Sequence, residues 1–435
     1  MAQFRTDTKK YSTGHDVTRH EVFMLNDRLS PSGTLTDAFG RVRVSNPLTL
    51  FDSTHRYQDN GLWNTSNTAT ANATFSANQS MILMSVDSTN GAEVIRETKR
   101  VFAYQPGKSL LIMNTFVMQT PSANVRQRVG YFGAQNGVYL ENDGTTNYLV
   151  IRSFINSAIN ETRVAQADWN IDKFDGTGYS SQSTGPEHST GLDVSKSNIF
   201  WVDIEWLGVG DVRAGFVVDG RLCPAHIFHN DNVNVAPYMT TASLPIRYEI
   251  KNNGVVSGSS TLKQICSSVI SEGGYTLFGT QRSAHIPVDT PKNLATAGTT
   301  YPVVSIRLKA NRLDAIVIIT ALAVLGIGNT TRMRWSVHTG ATLTDASWVS
   351  AGDDSPVEYD ISATAMSGGV QAATGYLNVT NQSSTQVDIL KEALFRFQLE
   401  RNGLTGTPYI FTIAASGATN GDDVLASIDW EEITS

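Results

Sequence analysis

The sequence is short of the residues that would place it in several large classes of protein. Only 2 of its 435 residues are cysteine, so no disulfide framework can hold it, and Cys223 and Cys266 are expected to be reduced, buried thiols. Charged residues make up 17% of the chain, against roughly 25% in an average domain. Lys and Arg number 33 against 40 Asp and Glu, a net charge of −7. That removes the electrostatic grip of a sequence-independent nucleic-acid binder. The longest apolar run, Ala315 to Leu325, falls short of the ~20 residues that cross a bilayer. Met1 to Asp7 carries no apolar core of a secretory signal. The expectation is a protein made in a cytoplasm and soluble there, with no nucleic acid, membrane insertion or cofactor.

What fills the deficit is Ser, Thr, Asn and 35 Gly, with 7 Trp, 14 Tyr and 17 Phe as core material. The aromatics argue against disorder, and the scarcity of helix-favouring surface residues argues against an all-α fold. The fold class expected is all-β.

Along the chain, Met1 to Leu35 has little apolar periodicity and reads as an arm that lies on a neighbour. Phe39, Arg41 and Arg43 alternate with Val42 and Val44, a short strand ending at Asn46-Pro47. Beyond it come short strands at close intervals: Met81 to Val86, Val94 to Arg96, Leu110 to Met113 and Arg128 to Phe132. Gly137 to Glu141 and Tyr148 to Arg152 flank Asn142-Asp143-Gly144, a hairpin signal because glycine tolerates the positive φ of a tight turn. Ile199 to Trp206, Val212 to Val218 and Leu222 to Phe228 form a second meander through glycine turns, the build of a sandwich or barrel. A Pro-, Ala- and Gly-containing stretch, 283–300, marks a boundary. Strands resume at Val303 to Leu308, Ala315 to Val324, Met333 to Val337, Gly375 to Val379, Ile410 to Ile413 and Ala426 to Trp430, while Asp388 to Leu394 reads as a helical turn. The architecture predicted is two antiparallel β-sandwiches, jelly-roll or lectin-like, at 51–290 and 291–435, after an extended N-terminal arm and anchoring strand at 1–50.

The catalytic inventory is close to empty. Asp203 and Glu205 stand two apart in a strand, ~6.5–7 Å along the chain on one face, the residue types of glycoside hydrolysis. The competing reading is a solvent-facing polar row, with Val202, Ile204 and Trp206 inside. Trp201 and Trp169 are nearby aromatics for a sugar. Asp168, Asn170 and Asp172 match the first odd positions of a calcium loop, but Lys173 and Tyr179 stand where its glycine and bidentate acid belong. The next residues, Asp175 to Gly178, read as an exposed turn. His226, His229 and Asp231 are metal-ligand types, yet residues three apart on a strand face opposite sides, so no metal site is expected. Gly208 and Gly210 lead into a strand instead of a phosphate-binding helix. The basic cluster Arg96 to Arg100 reads as a solvated strand edge.

Three stretches together resemble a family of tailed-bacteriophage virion structural proteins of fibre, collar or decoration type. They are Asp37 to Pro47 with Leu50-Phe51-Asp52; Trp169 to Gly178 followed by Trp201 to Gly215 and Asp219-Gly220; and Leu244 to Ile250 with Ala426 to Ile433. The resemblance implies a non-enzymatic particle component with no catalytic residues, whose partners are neck, tail or capsid proteins. A reduced host cytoplasm as the place of assembly fits the missing disulfides. Phe39, Arg41 and Arg43 are then the expected docking side chains, a homotrimer the expected assembly, the virion the location, and a host surface glycan a further partner. The alternative is a carbohydrate-binding or glycan-cleaving sandwich using Asp203 and Glu205.

Overall fold

Alternating apolar residues over six to eight positions, cut by Gly, Asn and Asp turns, leave strands as the only way to bury one face at a time. The computed structural model describes residues 2–10, 16–24, 45–68, 70–178, 191–276, 279–327, 332–378, 385–387 and 397–434. Phe39, Arg41, Arg43 and the helical turn at Asp388 to Leu394 lie outside them. The described residues hold antiparallel strands and two single-turn 3-10 segments, Ile155–Ser157 and Gln166–Asp168. Among them no helix is long and apolar enough to cross a membrane.

Contacts divide the chain into Met1–Asn46 and Pro47–Ser435. In the first unit, Ala2–Lys10 pairs antiparallel with Asp16–Met24, a two-stranded ribbon. In the second, a seven-stranded sheet runs in the order Asn160–Ala165, Asn147–Ser153, Gly137–Asn142, Val125–Phe132, Ile246–Asn252, Glu93–Thr98 and Trp63–Asn67. An eight-stranded sheet runs Arg221–Phe228, Val212–Val218, Asn198–Ile204, Leu110–Val117, Ser260–Ser271, Met81–Val86 and Asn72–Ser76, with Leu48–Ser53 added beside Ser260–Ser271. One cluster containing Val94, Ile112, Phe116, Val129, Tyr131, Leu140, Phe200, Phe216 and Ile246 fills the space between them. Both hairpins form at the places read from the sequence. The first is closed by Asp143, whose Oδ1 accepts from the Thr145 and Thr146 amides.

From Thr280 onward a five-stranded sheet built on Asp422–Thr434 and Ile316–Ile327 faces a six-stranded sheet built on Tyr301–Leu308, Phe411–Gly417 and Met333–Thr339. Trp430, Ile413, Val304 and Leu294 lie in its own core. The two sandwiches are stitched by residues 397–402. Gln398 donates to the Val101 carbonyl and the Arg401 amide to the Lys99 carbonyl. Arg100 pairs with Glu400 at 2.9 Å, and the Arg401 guanidinium pairs with Glu97.

The expectation of a solvated edge at Arg96 to Arg100 is overturned. Arg96 is 1% and Glu97 2% exposed. Arg96 points inward, bonded to Gln264 at 2.6 Å and to both Asp59 oxygens, with Trp63 beneath it. Glu97 points outward and is covered by Arg247 and Arg401. A charge inside a fold needs a partner: Asp59 of a loop serves Arg96, and Arg247 and Arg401 serve Glu97.

Candidate functional site

Strand Asn198–Ile204 carries Phe200, Val202 and Ile204 into the core, with Trp206 packed at its margin. Asp203 faces the other way, but it is not part of a solvent-facing row: it is 8% exposed. Register places Arg213 directly across, and their side chains pair at 2.5 Å. Burial pushes the Asp203 carboxyl up to about 6, against the pull of Arg213 and with help from Glu272 and Glu205. Glu205 lies one residue past the strand and is exposed. Trp201 is buried, its indole donating to the Phe216 carbonyl, and Trp169 is part of the core, so neither offers a ring to a ligand.

The residues matching a calcium loop do other work. Asn170 exchanges two hydrogen bonds with the backbone of Ile227, and the amides of Ile171 and Asp172 both donate to the Ala225 carbonyl. The segment is an added edge to strand Arg221–Phe228. Asp175 closes an exposed turn by accepting from Thr177. Cys223 is buried and Cys266 partly buried, both free thiols, and burial pushes both up from the ordinary thiol range.

His226 ends inside: it accepts from the Asn170 amide through Nδ1 and stands edge-on to Phe228. Burial, with His229 adding, holds it down at about 4, so it is neutral. His229, just past the strand end, is exposed and lies 3.4 Å from Asp211, a residue the sequence reading did not single out.

A layer of paired charges was not singled out from the sequence. It is the outer face of the seven-stranded sheet. One cross-strand row reads Glu249, Arg128, Glu141, Tyr148; the next reads Glu97, Arg247, Gly130, Tyr139. Arg128 bonds Glu141 at 2.5 Å and Glu249 at 3.4 Å, Arg126 bonds Glu249 at 2.8 Å, and Arg152 bonds Glu161 at 2.9 Å. Arg163 also reaches Glu141. Arg128 and Arg152 both lie 5.2 Å from the centre of the Tyr139 ring, whose hydroxyl donates to Glu161. Gly130 makes room for this layer: a Cβ there would come within 2.7 Å of Tyr139 Cβ. Burial works to raise the Glu249 carboxyl, but Arg247, Arg128 and Arg126 outweigh it and hold it below the usual range. A carboxylate kept ionised in this way does not serve as a general acid at neutral pH.

A cavity of about 510 Å³ opens beside this sheet system, lined by Tyr104, Trp206, Lys108, Thr240, Thr241 and Thr276 among others. Tyr104 and Trp206 meet edge to face at 5.8 Å, and the Tyr104 hydroxyl accepts from the Leu207 amide.

No family model matches the chain, and no curated protein matches it. Solved structures similar to it include the carbohydrate recognition domain of Emp47p, at 11% identity over 54% of this chain and 99% of that one, TM-score 0.32. Peanut lectin matches at 11% over 53% and 100%, TM-score 0.30. A carbohydrate esterase of the Shiga toxin-encoding bacteriophage phi24B matches at 10% over 52% and 100%, TM-score 0.31. The likeness is one of β-sandwich architecture over about half of the chain and carries no argument about its chemistry.

Proposed function

We propose that the chain is a non-enzymatic structural component of a bacteriophage virion, of fibre, collar, tail or decoration type, assembled in the host cytoplasm. It docks on other virion proteins through residues 1–50 and projects its sandwiches as a homotrimer. The observation that carries this reading is that Met1–Asn46 forms a unit of its own, built on a two-stranded ribbon. Two strands alone are marginally stable in water, so such a ribbon gains most from a surface supplied by another chain. Glu249, held ionised among Arg247, Arg128 and Arg126, supports a structural role over a catalytic one. Deleting residues 1–46 tests it. The truncated chain should keep the melting temperature of the full one and be absent from purified particles; incorporation at the full-length level overturns the docking role.

A second reading, binding of a host surface glycan, is favoured by the cavity at Tyr104 and Trp206. Aromatic rings beside hydroxyls and an ammonium are the groups that hold a sugar's apolar face and its hydroxyls. The full chain should bind on a glycan array, and Trp206→Ala should lose that binding. Undiminished binding by the variant, or none by the wild type, removes this reading. Cleavage of a bound glycan that survives Asp203→Asn with Glu205→Gln would exclude those two carboxylates as its catalysts.

A further inference from the structure

We propose that Asp211, His229 and Asp231 form a binding site for a divalent cation of the Zn²⁺ or Mn²⁺ class at the rim of the first sandwich. One imidazole nitrogen and two carboxylate oxygens lie within 4.8 Å of one another. The His229 Nδ1 to Asp211 Oδ2 distance is 3.4 Å, about the edge of a tetrahedron around an ion with ~2.1 Å bonds. His229 and Asp231 are exposed, which gives the ion an entry path and lets both side chains close on it.

The two loops that bring these residues together are already fastened. Asn230 donates to the Gly210 carbonyl at 3.0 Å, and the Tyr238 amide donates to the Gly208 carbonyl at 3.0 Å. Asn230 in turn accepts from the Asn234 side chain. The residues before Asp211 and after His229 are therefore held in register by bonds that do not involve the ligands, so ordering the site costs little on binding.

A separate observation points to an occupant. Tyr238 is 7% exposed, and its hydroxyl has no hydrogen-bond partner among the described residues. It lines, with His229, a cavity of about 550 Å³. A buried hydroxyl without a partner is unfavourable; a water on an ion held by Asp211 and His229 supplies one. The donor set chooses the ion. Calcium takes six to eight oxygens, whereas mixed imidazole and carboxylate donors suit Zn²⁺ and Mn²⁺.

The test uses the full chain stripped with a chelator. Saturating Zn²⁺ or Mn²⁺ should raise the melting temperature by at least about 2–4 °C, and isothermal titration should give one site. His229→Gln and Asp231→Asn change exposed side chains and leave the apo melting temperature in place. Each should abolish the rise and weaken binding by more than the ~10–100-fold that loss of an outer-shell partner costs. No rise with either ion, or a rise retained in either variant, overturns the site.

Discussion

The two faces of the seven-stranded sheet are both closed to water at their centres, by opposite means. The inner face presents Val129, Tyr131, Leu140, Leu149 and Ile246 to the opposing sheet. The outer face presents Arg128, Glu141, Arg152, Arg247 and Glu249, each under a tenth exposed. Apolar packing tolerates swaps that conserve volume. A layer of paired charges does not: its members are stable inside only as pairs, and removing one strands the other. One strand, Val125–Phe132, serves both at once, which ties the register of the charge layer to that of the core.

That contrast can be broken by substitution. Glu249→Ala leaves Arg126, Arg128 and Arg247 without a shared carboxylate and should cost about 3–5 kcal/mol in denaturant unfolding; a cost under about 1 kcal/mol would show that charge pairing does not hold the outer face. Leu140→Ala, on the inner face of the same sheet, should cost about 3 kcal/mol by leaving a cavity.

Acid and base sharpen the comparison on the other sheet. The Asp203 carboxyl, raised from 3.8 to about 6, binds its proton more tightly folded than unfolded. Its contribution is therefore present below about pH 4 and lost as pH rises through 6, a swing of up to about 3 kcal/mol. Asp203→Asn should gain on the wild type by up to that amount between pH 4 and 7, as read from melting curves across that range. Glu249, held low, runs the opposite way and loses its contribution as pH falls. The smallest effect belongs to the rim: Arg163, 37% exposed beside Glu141, should cost no more than about 1 kcal/mol on change to Ala.

Strands were legible because alternation is a local signal: Met81 to Val86 and the meander from residue 198 to 228 need only their own residues and turns. Burial of charge was not. A strand reading Val-Arg-Gln-Arg-Val, 125–129, looks like one with a solvated face, because the groups that cover Arg128 come from Glu141 and from Glu249, 121 residues away. The histidines were half legible. His226 lies within strand Arg221–Phe228 and His229 just past its end, and Asp211 meets His229 only because Val212–Val218 and Arg221–Phe228 fold back on each other. Glu205 lies one residue past the strand end at Ile204, so a spacing of two along a strand does not by itself describe its place beside Asp203.

The segment 397–402 has a mechanical consequence. The chain passes from the first sandwich to the second once, so backbone continuity supplies a single line of attachment between them. The bonds from Gln398, Glu400 and Arg401 to Val101, Arg100, Lys99 and Glu97 add a second line of attachment, and two lines make a plate that resists rotation. A load applied to one sandwich then reaches the other through several short bonds strained together, so the pair should yield at one force in a single step, without a preceding swing.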